Sequence, residues 1–146
     1  EKGLAPSPGA SAARADYLQM LHFGGTWIDM MLWQVRIHED VLRETESDPR
    51  TVARYRRKFS SEVEPQLAAR LTAGPFICGE HFTAADCVVA HDVIWARGYG
   101  LCQDELFRQY ISRVSKRPAF VAAFADAREF QRRVPTDKPL VAKFSG

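Results

Sequence analysis

Between Ser11 and Glu46 apolar residues return on a 3.6-residue period in two adjacent stripes. Tyr17, Leu21, Ile28, Met31, Leu32, Val35 and Leu42 form the first; Met20, Phe23, Trp27, Met30, Ile37 and Val41 form the second. The pattern predicts one long helix, capped at Ser11 or Asp16 and ended by Ser47-Asp48-Pro49, with a kink at Gly24-Gly25. A helix on the flank of a bundle needs an apolar arc of only ~100°. Here the arc exceeds half the circumference, so either the helix is central in its own bundle or the second stripe meets a further surface: a dimer partner, another domain or a ligand pocket.

A second helical repeat, Val52, Tyr55, Phe59, Val63, Leu67 and Leu71, spans 50–71 with a bend expected at Pro65, and pairs with the first as an antiparallel hairpin. Thr72-Ala73-Gly74-Pro75 stops it. In Phe82-Thr83-Ala84-Ala85-Asp86-Cys87, Thr83 fits the N-cap and Asp86 the N3 position of a capping box, with Phe82 and Cys87 spaced as a hydrophobic staple. The helix so opened, 84–97, is apolar nearly all round and belongs inside a bundle; His91 within it reads as a hydrogen-bonded core histidine. Leu106, Tyr110, Ile111 and Val114 mark a shorter helix over 104–115. Arg117-Pro118 restarts a last one whose buried side is Phe120, Val121, Phe124 and Ala127. The expectation is an all-α bundle of about five helices over residues 11–133, after a Gly/Pro/Ser-rich linker at 1–10 and before an extended tail at 134–146.

Composition narrows the function classes. A net charge of +2 from 20 basic and 18 acidic residues gives no strong field, and the run Arg50, Arg54, Arg56, Arg57, Lys58 lacks interleaved aromatics, so it reads as a solvated face and neither nucleic acid nor membrane is expected as a partner. No apolar run approaches the ~20 residues of a membrane span. Cys78, Cys87 and Cys102 have no CxxC spacing, and the four histidines show no HExxH pairing, so no metal is assigned and a reducing cytoplasm is expected. The opening Glu1-Lys2-Gly3, without an initiator methionine or leader pattern, reads as the middle of a longer chain.

In order along the chain, Leu4-Ala5-Pro6, Tyr17-Leu18-Gln19, Ile77-Cys78-Gly79 through the capping box at Asp86, Trp95 and Arg117-Pro118-Ala119-Phe120 resemble the C-terminal helical domain of glutathione transferases, especially bacterial beta-like members. The resemblance implies a thioredoxin-like N-terminal domain that binds the co-substrate glutathione and carries the catalytic thiol chemistry, so no catalytic residue is assigned within this chain. It also implies a homodimer. This domain would supply the apolar wall for a small apolar electrophile, with Thr26, Trp27, Met30, Trp95 and Tyr99 as candidate substrate-binding residues. Two departures stand out. Gly24-Gly25 occupies the place of an acidic residue that beta-like members direct to the neighbouring subunit's glutathione, and Thr26-Trp27 that of a His-Lys pair. The alternative functions are a non-catalytic interaction module, as in translation factors and aminoacyl-tRNA synthetases, and a ligand-binding helical protein without conjugating activity.

Overall fold

In a computed structural model that describes residues 3–126, the chain forms five helices, and the one β feature among the described residues is an isolated bridge between Phe76 and Gly79. Helix α1 runs over 12–41, α2 over 49–73, α3 over Ala84–Gly98, α4 over Glu105–Ser115 and α5 over Pro118–Ala123. α1 packs against α2 as a hairpin and against α3; α4 closes the bundle by touching both α2 and α3, and α5 lies on α4. Ile28, Met31 and Leu32 of α1, Phe59, Val63 and Leu67 of α2, Val89 and Val93 of α3, and Phe107 and Tyr110 of α4 meet in one buried core. Each such side chain contributes about 1.5–3 kcal/mol on leaving water.

The two long helices are not uniformly α. In α1 a π-helical turn, Phe23–Ile28, contains both adjacent glycines, and Asp29 N–H donates to the Gly24 carbonyl across the wider loop. The place where a kink was expected is thus taken up by a change of helical pitch. In α2 the π-turn Phe59–Val63 ends two residues before Pro65. Proline has no N–H and its ring presses on the carbonyl four residues back, so a wider turn relieves the conflict without breaking the helix.

Helix ends follow the capping chemistry. Ser11 caps α1 by accepting from Arg14 N–H at 3.2 Å, and Asp48 caps α2, with Pro49 in its first turn, by accepting from Arg50 N–H at 3.0 Å. α1 stops at Val41, short of the expected Glu46: Leu42 turns extended, Ser47 Oγ donates to the His38 carbonyl at 2.5 Å, and Asp48 N–H donates to His38 Nδ1 at 3.0 Å. Those loop bonds satisfy the helix end that further turns would otherwise have occupied. At the other end of the bundle Thr83 and Asp86 form the capping box in both directions, with Thr83 N–H donating to Asp86 Oδ2 at 2.8 Å. Residues assigned to a linker are tied down here, since the Leu4 carbonyl accepts from Ala84 N–H at 2.7 Å and the Pro6 carbonyl accepts from Arg14 Nη1 at 2.9 Å.

Three burial expectations fail. Val121 and Phe124 are exposed because α5 is short and lies on the outside of α4, where no described element covers its second apolar face; Ala127 and the boundary at 133 lie outside the described residues. His91 is exposed, and its helical neighbour Asp92 is the polar residue turned into the bundle. Cys87 is exposed too, while Phe82 stands edge-on to Phe76 at 5.7 Å and lies under the Arg117 guanidinium at 3.7 Å.

Gly24 sets how closely α1 approaches α3. A Cβ there would lie 2.8 Å from Val88 Cγ1, 3.1 Å from Asp92 Oδ2 and 3.3 Å from Val89 Cγ2, whereas one at Gly25 would meet open space. Gly24→Ala should therefore lower stability by about 1–3 kcal/mol. Gly25→Ala should leave it unchanged or raise it by up to about 1 kcal/mol. Urea unfolding of the pair checks this; equal effects would contradict the close approach.

Candidate functional site

The close approach at Gly24 begins a seam along which two helical stripes lie side by side. From α1 it is lined by Asp29, Trp33, Arg36 and Asp40, spaced i, i+4, i+7 and i+11; from α3 and its C-cap by Asp92, Trp95 and Tyr99, spaced i, i+3 and i+7. At its upper end Asp92 is buried with Oδ2 unpartnered, and its carboxyl pKa is pushed up to about 8, first by burial and then by the charge of Asp29. In the middle, the Trp33 and Trp95 rings meet edge to face at 5.6 Å, with His91 at 6.1 Å from Trp95. Trp33 keeps 42% of its surface exposed, so this aromatic pair is reachable from solvent. The Arg36 guanidinium lies 5.3 Å from the Trp33 ring and 5.9 Å from the Trp95 ring.

The lower end is a lock of three helices. Tyr99 donates its hydroxyl to Asp40 Oδ2 at 2.5 Å, and its carbonyl accepts from Arg56 Nη1 of α2. Arg56 also forks onto Glu39 of α1, with Nη2 2.8 Å from Oε1 and 3.1 Å from Oε2. Burial and the acceptor on Asp40 raise the Tyr99 hydroxyl above the usual tyrosine range, so it stays protonated and serves as a donor.

The five residues picked from sequence do not form one cluster of contacts. Trp95 and Tyr99 share the seam. Trp27 is 39% exposed and its ring lies 5.1 Å from Lys58 Nζ, which places it against α2. Thr26 is exposed and donates its hydroxyl back to the His22 carbonyl at 2.6 Å, and Met30 is half-buried against the core. Sequence reading passed over Trp33, Arg36 and Asp40, although their spacing on one helical face was available as a signal; their meeting with α3 was not.

Burial raises the thiols of Cys78 and Cys102 above the ordinary cysteine range, which disfavours the reactive thiolate. Among the described residues no three His, Cys, Asp or Glu side chains gather as a metal site, and no helix is long and apolar enough to cross a membrane.

The sequence profile of the glutathione S-transferase C-terminal domain matches residues 50–129, more than half of the chain, and the chain belongs to that family. Solved structures share the fold. A glutathione transferase family member from Pseudomonas fluorescens, crystallised with two glutathione bound, is 22% identical at a TM-score of 0.65, over 82% of this chain and 55% of its own. Glutathione transferase F2 from Populus trichocarpa is 16% identical at a TM-score of 0.67, over 88% and 62%. The theta-class enzyme from Xanthomonas axonopodis pv. citri is 18% identical at 0.59, over 79% and 62%. The matched regions thus span 55% to 62% of these neighbours. No curated protein matches the sequence.

Proposed function

We propose that this chain is the second-substrate and subunit-contact domain of a cytoplasmic enzyme that conjugates glutathione to apolar electrophiles. Glutathione would be held by a thioredoxin-like domain that also carries the thiol chemistry, and the two-domain protein would act as a homodimer. Family membership supports the class, and the observation that carries the role is the solvent-accessible Trp33–Trp95 pair on the α1–α3 seam. Flat, polarizable rings open on one side suit a planar apolar substrate.

Within this reading Trp95 forms the wall and Tyr99 holds its lower end by its bond to Asp40. Trp27, Met30 and Thr26 belong to the second stripe of α1, where Trp27 under Lys58 offers a separate apolar contact. Trp33→Ala in the full-length protein should cut kcat/KM for an apolar aryl halide roughly tenfold, with the KM for glutathione within about twofold of its original value. If Trp27→Ala gives that selective loss and Trp33→Ala does not, the substrate lies against α2 and not in the seam. Binding of aryl compounds without any glutathione-dependent turnover would instead favour a ligand-binding module.

A further inference from the structure

Of the seven half-buried arginines among the described residues, five make side-chain hydrogen bonds, and Arg117 lies over the Phe82 ring. Arg56 forks onto Glu39, Arg70 onto Asp16 at 2.7 and 3.0 Å, and Arg14, Arg97 and Arg113 donate to the carbonyls of Pro6, Cys102 and Pro75. Arg36 donates to nothing among the described residues, and its Nε is shut away from solvent without a partner. Of the two carboxylates on its own stripe, Asp40 is taken by the Tyr99 hydroxyl, and Asp29 lies two helical turns away beside Asp92. Its Nε, held beside two indole rings, has given up hydration without gaining an acceptor among the described residues.

Resting on the reading of this seam as a substrate wall, we propose that Arg36 is a specificity-determining residue that donates through its terminal nitrogens to the carboxylate of an acidic aromatic ligand whose planar body lies on the exposed Trp33 ring, with Trp95 standing edge-on beside it. The guanidinium is planar and offers parallel donors that match the two oxygens of a carboxylate. The rings at 5.3 and 5.9 Å fix its position, so little side-chain freedom remains to be lost when a ligand arrives. Trp33, exposed on the same side, provides the flat surface that a free inorganic anion would leave unused.

The test is a fluorescence titration of the full-length protein with naphthoate and with its methyl ester at pH 7. Naphthoate should bind at least about tenfold more tightly than the ester, and Arg36→Gln should bring the two affinities to within about twofold of each other. Arg36→Lys, which keeps the charge but not the flat fork, should restore part of it. Equal affinities in the unaltered protein, or a preference that survives Arg36→Gln, would overturn the proposal and leave the substrate wall standing. Failure of both probes to bind would remove the wall and this proposal together. Circular dichroism of each variant guards against misfolding, and the acid-against-ester comparison in the unaltered protein decides the matter even if Arg36→Gln does not fold.

Discussion

Asp86→Ala should lower the unfolding free energy by about 3–5 kcal/mol, far beyond the ~1 kcal/mol typical of an exposed helix cap. The difference lies in where the carboxylate sits. Asp86 is wholly buried and accepts from Thr83 N–H at 2.8 Å, Ile77 N–H at 2.8 Å and the Tyr110 hydroxyl at 2.9 Å. One side chain therefore joins the start of α3, the loop after α2 and the middle of α4. Alanine would strand three buried donors and leave a void where the oxygens were. Tyr110→Phe, which removes one of these donors together with its need for a partner, should lose only about 1–2 kcal/mol. The measurement is urea unfolding with the slope unchanged, and any loss of activity should follow the unfolded fraction. A shift below about 1 kcal/mol, or a fully folded but inactive variant, would show that Asp86 is not the joint described.

Asp92→Asn should have the opposite sign and a strong pH dependence. Burial and the Asp29 charge raise the Asp92 carboxyl from its ordinary 3.8 to about 8 in the folded chain, while the unfolded chain keeps the ordinary value. Below pH 3.8 both states bind the proton and the residue imposes no ionisation penalty. As pH rises the unfolded state loses its proton first, so stability is withdrawn progressively until the folded carboxyl also ionises near pH 8. Asparagine has no such linkage. The variant should match the original protein near pH 4 and exceed it by about 3 kcal/mol above pH 8. Thermal or urea unfolding of both proteins across that range gives the difference directly. A constant gap would mean that Asp92 is ionised throughout and neutralised by a contact other than those described; Asp29→Asn should shrink the gap by removing the second cause of the shift.

Much of the scaffold was legible one element at a time. Tyr17, Ile28, Met31, Leu32 and Val35 are buried as their spacing predicted, Ser11 and Asp48 cap the helices they precede, and Thr83 with Asp86 closes the box that their three-residue separation announced. These features depend on neighbours within a turn or two, where helical geometry alone decides which groups can meet. Met20, placed with the outward stripe, is buried; Trp27 and Val41 of that stripe stay exposed. The pattern on one helix could define the width of the apolar arc but not which part of it a neighbouring helix would cover.

The seam was not legible in that way. Adjacent residues on a helix point about 100° apart, so either His91 or Asp92 could have faced the core. The choice fell to Asp92 because Gly24 lets α3 approach α1 on that side. The positions of Trp33 and Arg36 along α1 do not reveal that Trp95 of α3 lies against both. The sequence by itself determined the all-helical class, the positions of most helices, the caps and the family, all of which follow from local periodicity and ordered motifs. Only the tertiary structure decided the π-turn at Gly24-Gly25, the threefold duty of Asp86, the orphaned Asp92 and the aromatic setting of Arg36. Those arise from contacts between helices distant in sequence, where the outcome depends on how two surfaces approach and not on the spacing along either one.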